Sequence, residues 1–211
     1  MCGRYQVLPR DQVRAIAASA SGQMALDALA DISAADVRDV YPNDTILAID
    51  STFNVVELVW GFDVEWSRNP VFNTRIESLL DGSEMWQNAN EHGRCVIPAA
   101  RFYEPHMNEK VRSQSTGRAV KRPYIFALGG NEALLFAGVS ENGRCSIVTT
   151  QPNQSVASIH DRMPLILRPD EVRKWFAGEF SGLADRSGIS LETGPADARP
   201  LIAESEQLGL F

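Results

Sequence analysis

The sequence predicts an α+β fold in which mainly antiparallel β-sheets curl into a barrel-like core with flanking helices. Seven short runs between residues 45 and 149 are rich in β-branched and aromatic residues. So many short strands at close spacing favour antiparallel sheets around a common core. Segments with helical signals lie before and after these runs.

Local patterns define the individual elements. Asp11 can cap a helix that runs to Ala20 and places Val13 and Ile16 on one face. The Ala-rich, acidic stretch that follows is expected to continue as helix to about residue 36. The predicted strands are residues 45–49, 53–62, 94–97, 102–104, 124–128, 133–140 and 145–149.

Prolines and polar stretches define the remaining segments. Pro152 and Pro169 each suit the first turn of a helix, so helices are predicted over residues 152–160 and 169–176. The polar stretch between residues 105 and 122 is typical of an exposed loop. We expect one catalytic domain over residues 1–180, followed by a tail over residues 181–211 that is packed on it or loosely attached.

Composition limits the classes of function. The chain has 211 residues, of which 44% are hydrophobic and 22% charged, and no apolar run is long enough for a membrane span. No secretory signal is evident, so a cytoplasmic location is expected. We also expect a monomer. The net charge of −7 gives no global attraction for nucleic acid, so any such binding must be local.

The basic residues and cysteines give further hints. All but three of the twenty basic residues are arginine, whose planar fork suits phosphate, although codon bias would give the same excess. The three cysteines are Cys2, Cys95 and Cys145, without a C-x-x-C pair, which argues against disulfides and structural zinc. We expect no metal and no cofactor, and we expect Cys95 and Cys145 to be buried and inert.

Cys2 is the most informative single residue. Removal of Met1 would leave a free α-amine two carbons away from the thiol, which is a 1,2-aminothiol. Such a group condenses with an aldehyde: the amine forms an imine, and the sulfur then closes a five-membered thiazolidine ring. The ordinary pKa values, about 8 for the amine and about 8.5 for the thiol, allow activation near neutral pH. Taken alone, a cysteine at position 2 also occurs by chance.

Four separated segments form a larger pattern. They are Met1-Cys2-Gly3-Arg4-Tyr5, Trp60-Gly61-Phe62 leading to Asn73-Thr74-Arg75-Ile76-Glu77, Cys95-Val96-Ile97-Pro98-Ala99 with Phe102-Tyr103-Glu104, and Ile159-His160-Asp161-Arg162-Met163-Pro164. In this order, over roughly residues 1–176, they resemble the SOS response-associated peptidase family, also called the SRAP domain. The resemblance implies a single domain that crosslinks to abasic sites in single-stranded DNA and releases its own first residue as a cysteine peptidase.

The resemblance also implies site residues. Cys2 matches the family nucleophile, and Asn73 would hold the amine or the opened sugar. Glu104 and His160 match the acidic and histidine catalytic residues, and a carboxylate and an imidazole suit the acid-base steps that open a closed sugar. Contacts with DNA are expected from four further residues, the last of them as a base-stacking platform beside a loop: Arg4, Arg75, Arg162 and Trp66.

Each of these residues has a purely structural alternative. Glu104 could pair with a nearby arginine, and His160 could end a helix. Asn73 could be a turn residue, and Arg75 could pair with Glu77. Two other functions also stay open: a cysteine peptidase acting on other proteins, and a non-catalytic module that binds single-stranded DNA.

Overall fold

The structure, a computed structural model, describes residues 2–22 and 37–201. The strands of these residues are β1 (Tyr5–Val7), β2 (Arg38–Val40), β3 (Thr45–Asp50), β4 (Val55–Trp60), β5 (Phe62–Val64), β6 (Ser67–Val71), β7 (Asn73–Arg75), β8 (Arg94–Arg112), β9 (Ala119–Ala127), β10 (Leu134–Glu141), β11 (Arg144–Thr150), β12 (Met163–Pro164) and β13 (Glu192–Pro195). The α-helices of these residues are α1 (Arg10–Ala20), α2 (Ile76–Leu80), α3 (Gln87–His92) and α4 (Val172–Ala177).

Five strands close into a barrel. Around it, β3 pairs with β4 and β8, β8 pairs with β10, and β10 pairs with β11, all antiparallel. A parallel pairing of β11 with β4, in which Cys145 is opposite Trp60, completes the circle. Closure leaves these five strands without exposed edges. The predicted α+β class, with mainly antiparallel strands around a barrel-like core, is confirmed.

Side chains from alternate positions fill the barrel. One buried cluster takes a residue from each of the five strands: Ile46, Trp60, Ile97, Phe136 and Ile147. Residues on the opposite faces of these strands pack against α1, α2, α3 and α4 and form a second buried cluster outside the barrel. The period-2 alternation of the strands therefore separates an inner core from an outer core.

Two short strands, β1 and β7, pair with barrel strands and carry residues of the predicted motifs. β1 pairs with β8, and β7 pairs in parallel with β11. Both pairings join a segment of the N-terminal half to a barrel strand. They bring the predicted motifs, which are distant in sequence, to neighbouring strands.

Most of the stretch from 105 to 122 is strand, with a turn only at residues 113–118, so the prediction of a loop over its whole length is wrong. β8 and β9 form a long hairpin, in which Lys110 is opposite Lys121 and Val111 is opposite Val120. Val111 is fully buried, although its neighbours are polar. Backbone pairing across an antiparallel ribbon tolerates polar side chains on an exposed face, so polarity alone could not identify a loop here.

The helical predictions had mixed outcomes. α1 begins at Arg10 and ends at Ala20, so the helix is confirmed. Its N-cap is Pro9, so the prediction of Asp11 as the cap is wrong. A 3-10 turn at Pro169–Glu171 leads into α4, which confirms the second helix. The helix over 152–160 is wrong, because this segment forms consecutive turns. The side chain of Asn153 accepts a hydrogen bond from the Ser155 N–H at 3.0 Å, which competes with regular helix formation. The predicted extension to residue 36 lies outside the described residues from residue 23 onward.

The segment after residue 180 packs on the barrel. Leu183, Ile189 and Leu191 are buried, and β13 pairs with β9. Arg186 donates a hydrogen bond of 2.6 Å to Glu171 within this interface. Of the predicted tail, residues 202–211 lie outside the described part. Within the described ranges, no helix has both the length and the apolar character that crossing a membrane requires.

We predict that Phe136→Ala lowers the free energy of unfolding by about 3–5 kcal/mol, because it removes a fully buried ring from the barrel. Trp66→Ala is the matched control, since Trp66 is 73% exposed, and its effect should stay within about 0.5 kcal/mol. Urea denaturation followed by circular dichroism measures both. Equal losses in the two variants would contradict this description of the core.

Candidate active site

Cys2 lies buried beside β8. Its exposure is 0%, and its Sγ is 3.7 Å from the carbonyl oxygen of Arg4. That carbonyl accepts a hydrogen bond of 3.0 Å from the Tyr103 N–H, and Tyr5 is opposite Phe102 in the antiparallel pairing. This register places residues 2–4, which precede β1, alongside residues 103–104. Position 2 is next to Glu104 because of this pairing, despite a separation of about a hundred residues.

Asn73 holds Cys2 from the other side. β7 places Asn73 opposite Ile147, and the Trp60 indole N–H donates a 2.9 Å hydrogen bond to the carbonyl of Phe72 just before it. The Asn73 Nδ2 donates a 2.9 Å hydrogen bond to the Cys2 carbonyl. Its Oδ1 is buried and accepts no hydrogen bond from the described residues, so it can accept one from a bound group.

Glu104 and His160 form a buried acid-base pair. Their exposures are 1% and 8%, and His160 Nε2 is 3.6 Å from Glu104 Oε2. Burial raises the pKa of Glu104 to about 7, because a desolvated carboxylate is disfavoured. Burial lowers the pKa of His160 for the corresponding reason. Near neutral pH, Glu104 is therefore present in both protonation states, and it can give or take a proton.

The Cys2 thiol needs a base. Its pKa is raised well above the ordinary value, first by burial and then by the charge of Glu104. The folded protein therefore holds a neutral thiol rather than a thiolate. Nucleophilic attack by this sulfur requires a partner that accepts its proton during the reaction, and Glu104 is the neighbouring carboxylate.

Arg162, two residues after His160, is held in place by contacts with α2 and β11. Its guanidinium donates to both carboxylate oxygens of Glu77, at 2.7 and 2.8 Å, and to the carbonyl of Thr149 at 2.8 Å. The hydrogen bonds from Arg162 lower the pKa of Glu77 to about 2. The sequence motifs contain both residues, but their pairing was not predicted. The alternative partner considered for Glu77 was Arg75.

The residues expected to contact DNA lie in different settings. Arg4 is bonded to Asp39 and lies 4.0 Å over the ring of Tyr103. Arg75 is exposed where β7 ends, and Trp66 is exposed between β5 and β6. Arg162 is buried against Glu77, so a phosphate would have to compete with that carboxylate. DNA contact by these four residues stays a prediction.

The geometry joins the predicted catalytic residues into one site. Contacts run from Asn73 to Cys2 and from Glu104 to His160, and the charge of Glu104 acts on the Cys2 thiol. The three cysteines are free and buried. Within residues 2–22 and 37–201, no group of three or more His, Cys, Asp or Glu side chains is placed to hold a metal ion. The arrangement can supply a thiol, an amide and a proton-transferring pair.

Two known proteins are similar to this chain in sequence. The abasic site processing protein YoaM of Bacillus subtilis (strain 168) is 30% identical over 155 residues, which cover 65% of this chain and 64% of YoaM. The abasic site processing protein YedK of Escherichia coli (strain K12) is 28% identical over 188 residues, which cover 86% of this chain and 82% of YedK. The match thus spans just under two thirds of YoaM.

Solved structures are similar to this chain in fold, and a family model matches its sequence. A phage-related protein from Bordetella bronchiseptica superposes with a TM-score of 0.67 and 20% identity, over 93% of this chain and 95% of that one. A protein from Bacteroides thetaiotaomicron gives a TM-score of 0.55 and 19% identity, over 81% and 79%. A family model described as SOS response associated peptidase (SRAP) matches residues 1–193. The chain therefore belongs to the SOS response associated peptidase (SRAP) family.

Proposed function

We propose that this protein forms a covalent link between Cys2 and abasic sites in single-stranded DNA, after Met1 is removed. The observation that carries the proposal is the buried contact set around Cys2, in which Asn73 bonds its carbonyl and the Glu104–His160 pair adjoins it. The names of YoaM and YedK, abasic site processing proteins, agree with it. In the cell we expect a cytoplasmic monomer that acts in the response to DNA damage.

The reaction begins with the sugar. An abasic deoxyribose exists mainly as a closed hemiacetal, so an acid and a base must open it to the aldehyde. Neutral His160 and Glu104 are suited to these proton transfers, since burial lowers the pKa of the first and raises the pKa of the second to about 7. The Oδ1 of Asn73, which accepts no hydrogen bond within residues 2–22 and 37–201, can accept one from the Cys2 amine or from a hydroxyl of the opened sugar.

The crosslink then forms in two steps. The Cys2 α-amine attacks the aldehyde carbon, and the resulting carbinolamine loses its oxygen as water to give an imine. Protonated Glu104 gives its proton to the departing hydroxyl and takes the N–H proton of the carbinolamine. The Cys2 sulfur next adds to the imine carbon, and its proton passes through Glu104 to the nitrogen. The product is a thiazolidine ring with one new C–N bond and one new C–S bond, and one water is released.

Removal of Met1 can use the same residues. The Cys2 sulfur would attack the Met1 carbonyl carbon and break the Met1–Cys2 amide, which moves the methionyl group from nitrogen to sulfur. Water would then hydrolyse the thioester and release methionine. Glu104 would take the thiol proton and return it to the departing amine. This self-directed step accounts for the peptidase in the family description.

Binding of the DNA strand would be local. The chain carries a net charge of −7, yet residues 106–122 of the β8–β9 hairpin contain five lysines or arginines and one acidic residue. The hairpin base is joined to the site, since the Met107 N–H donates a 2.8 Å hydrogen bond to the carbonyl of Ile159. Arg4 and Arg75 add charge near Cys2 and Asn73, and exposed Trp66 could stack on a base.

The first prediction concerns the nucleophile. Purified protein mixed with single-stranded DNA that carries one abasic site should give a shifted band on a denaturing gel. Cys2→Ala should abolish the band, whereas Cys145→Ala, which removes another buried thiol, should keep it. DNA without an abasic site is the substrate control. A band that persists in Cys2→Ala would reject the mechanism, and noncovalent binding alone would favour the non-catalytic module.

The same preparations test the remaining alternative. A cysteine peptidase that acts on other proteins should turn over peptide substrates repeatedly with Cys2 intact. We expect no multiple turnover, because the proposed cleavage by Cys2 is limited to its own preceding residue.

A second prediction concerns pH. The Cys2 amine must lose its proton before it attacks, and ionised Glu104 is the acceptor. The rate of crosslinking should therefore rise as pH increases through about 7, the pKa of Glu104. Glu104→Gln should slow the reaction by about 100-fold or more and remove this inflection. Glu132→Gln, at an exposed position, is the control, and an inflection retained in Glu104→Gln would assign it to another group, such as His160.

A third prediction concerns stability and needs no DNA. Because the pKa of Glu104 is raised to about 7, the folded state binds a proton that the unfolded state releases between about pH 4.5 and 7. The stability contributed by Glu104 is thus present at low pH and lost as pH rises through 7. At pH 8, Glu104→Gln should raise the free energy of unfolding by up to about 3 kcal/mol, and at pH 4 by far less. Urea denaturation at both pH values checks this.

A further inference from the structure

We propose that Glu77 is a positioning residue for His160 and acts through the buried guanidinium of Arg162. Its effect on the reaction rests on the proposed function, but its effect on the imidazole does not. Glu77 itself touches neither Cys2 nor Glu104 among the contacts of the described residues.

The first link is a bidentate ion pair. Arg162 is 6% exposed, and its two terminal nitrogens bond to the two carboxylate oxygens of Glu77 at 2.7 and 2.8 Å. Parallel bonds of this kind fix the orientation of both planar groups. A third bond, from Nη2 to the Thr149 carbonyl, ties the same guanidinium to β11. Arg162 therefore has a single well-defined place at the end of the barrel.

The second link runs through the backbone of Arg162. Its N–H lies 3.1 Å from His160 Nδ1, and its carbonyl oxygen lies 2.9 Å from the same nitrogen. If Nδ1 accepts the N–H, the imidazole proton sits on Nε2; if Nδ1 donates to the carbonyl, Nε2 is bare. Both of these backbone contacts come from residue 162, and Asp161 Oδ1 lies 3.3 Å from the same nitrogen. The placement of residue 162 thus sets which hydrogen bond Nδ1 makes and thereby the tautomer that Nε2 presents to Glu104, 3.6 Å away.

The third observation is that one short segment serves both halves of the site. Asn73 bonds the Cys2 carbonyl, and Glu77, four residues later, bonds Arg162. β7 and the start of α2 form this segment, and Ile76 and Leu79 anchor it in the outer core. The Asn73–Glu77 segment thus holds Cys2 and the His160 imidazole in a fixed position relative to each other.

The test uses Glu77→Gln, which keeps the size of the side chain and removes its charge. The control is Glu171→Gln, which weakens another ion pair of a buried arginine, Glu171–Arg186, in the interface with the C-terminal segment. Long-range proton–nitrogen NMR of 15N-labelled protein reports the tautomer of each imidazole. The chain has three histidines, and loss of signals in His160→Gln identifies those of His160.

In the wild type we expect ring nitrogen shifts of one dominant His160 tautomer. In Glu77→Gln the two nitrogen shifts should move toward each other, as in a freely exchanging imidazole, and crosslinking should slow by about 10-fold or more. Glu77→Asp, which keeps the charge but is one methylene shorter, should lie between the two. Glu171→Gln should leave the His160 shifts at their wild-type values.

Two results would overturn the inference. One is unchanged His160 shifts in Glu77→Gln, even if its crosslinking is slow, because Glu77 would then act by another route. The other is an equal change in Glu171→Gln, because general loosening would then explain both. If the wild type forms no crosslink at all, the proposed function fails, while the NMR comparison still decides whether Glu77 positions His160.

Discussion

The antiparallel pairing of β1 with β8 is the constraint on which the site depends. β1 has only three residues, so its register needs support from elsewhere, and the side chain of Tyr5 supplies it. The Tyr5 ring is fully buried, with ring centroids 5.0 Å from Trp60 and 5.8 Å from Phe136. A shift of one residue would turn Tyr5 to the opposite face, so the barrel core fixes the register and with it the position of Cys2 beside Glu104.

Two glutamates show how the environment assigns roles to one residue type. Glu104 is buried at the site, and its pKa rises to about 7. Glu77 is partly exposed and bonded twice to Arg162, and its pKa falls to about 2. The first can exchange protons near neutral pH, whereas the second stays ionised and serves as a fixed anchor. A buried carboxylate reduces stability, which is expected where a site is arranged for chemistry rather than for packing.

The placement of charge fits a protein that would bind an anionic strand only locally. A net charge of −7 opposes general association with DNA, while basic residues concentrate on the β8–β9 hairpin. Several of the arginines near the site already have protein partners, such as Asp39 for Arg4 and Glu77 for Arg162. These ion pairs orient the arginines before any ligand arrives, at the cost of competition between carboxylate and phosphate.

The sequence by itself determined the fold class, most of the barrel strands, α1 and α4, because these follow from local periodicity and proline placement. It also identified Cys2, Asn73, Glu104 and His160 as one candidate set, since their motifs resemble those of a known family. The hairpin over 105–122 and the turns over 152–160 were missed, because pairing partners and side-chain bonds such as that of Asn153 are not visible in local composition. Only the tertiary structure decided that Glu77 pairs with Arg162, 85 residues away, and that Glu104 is desolvated, because both depend on which strands meet across the barrel.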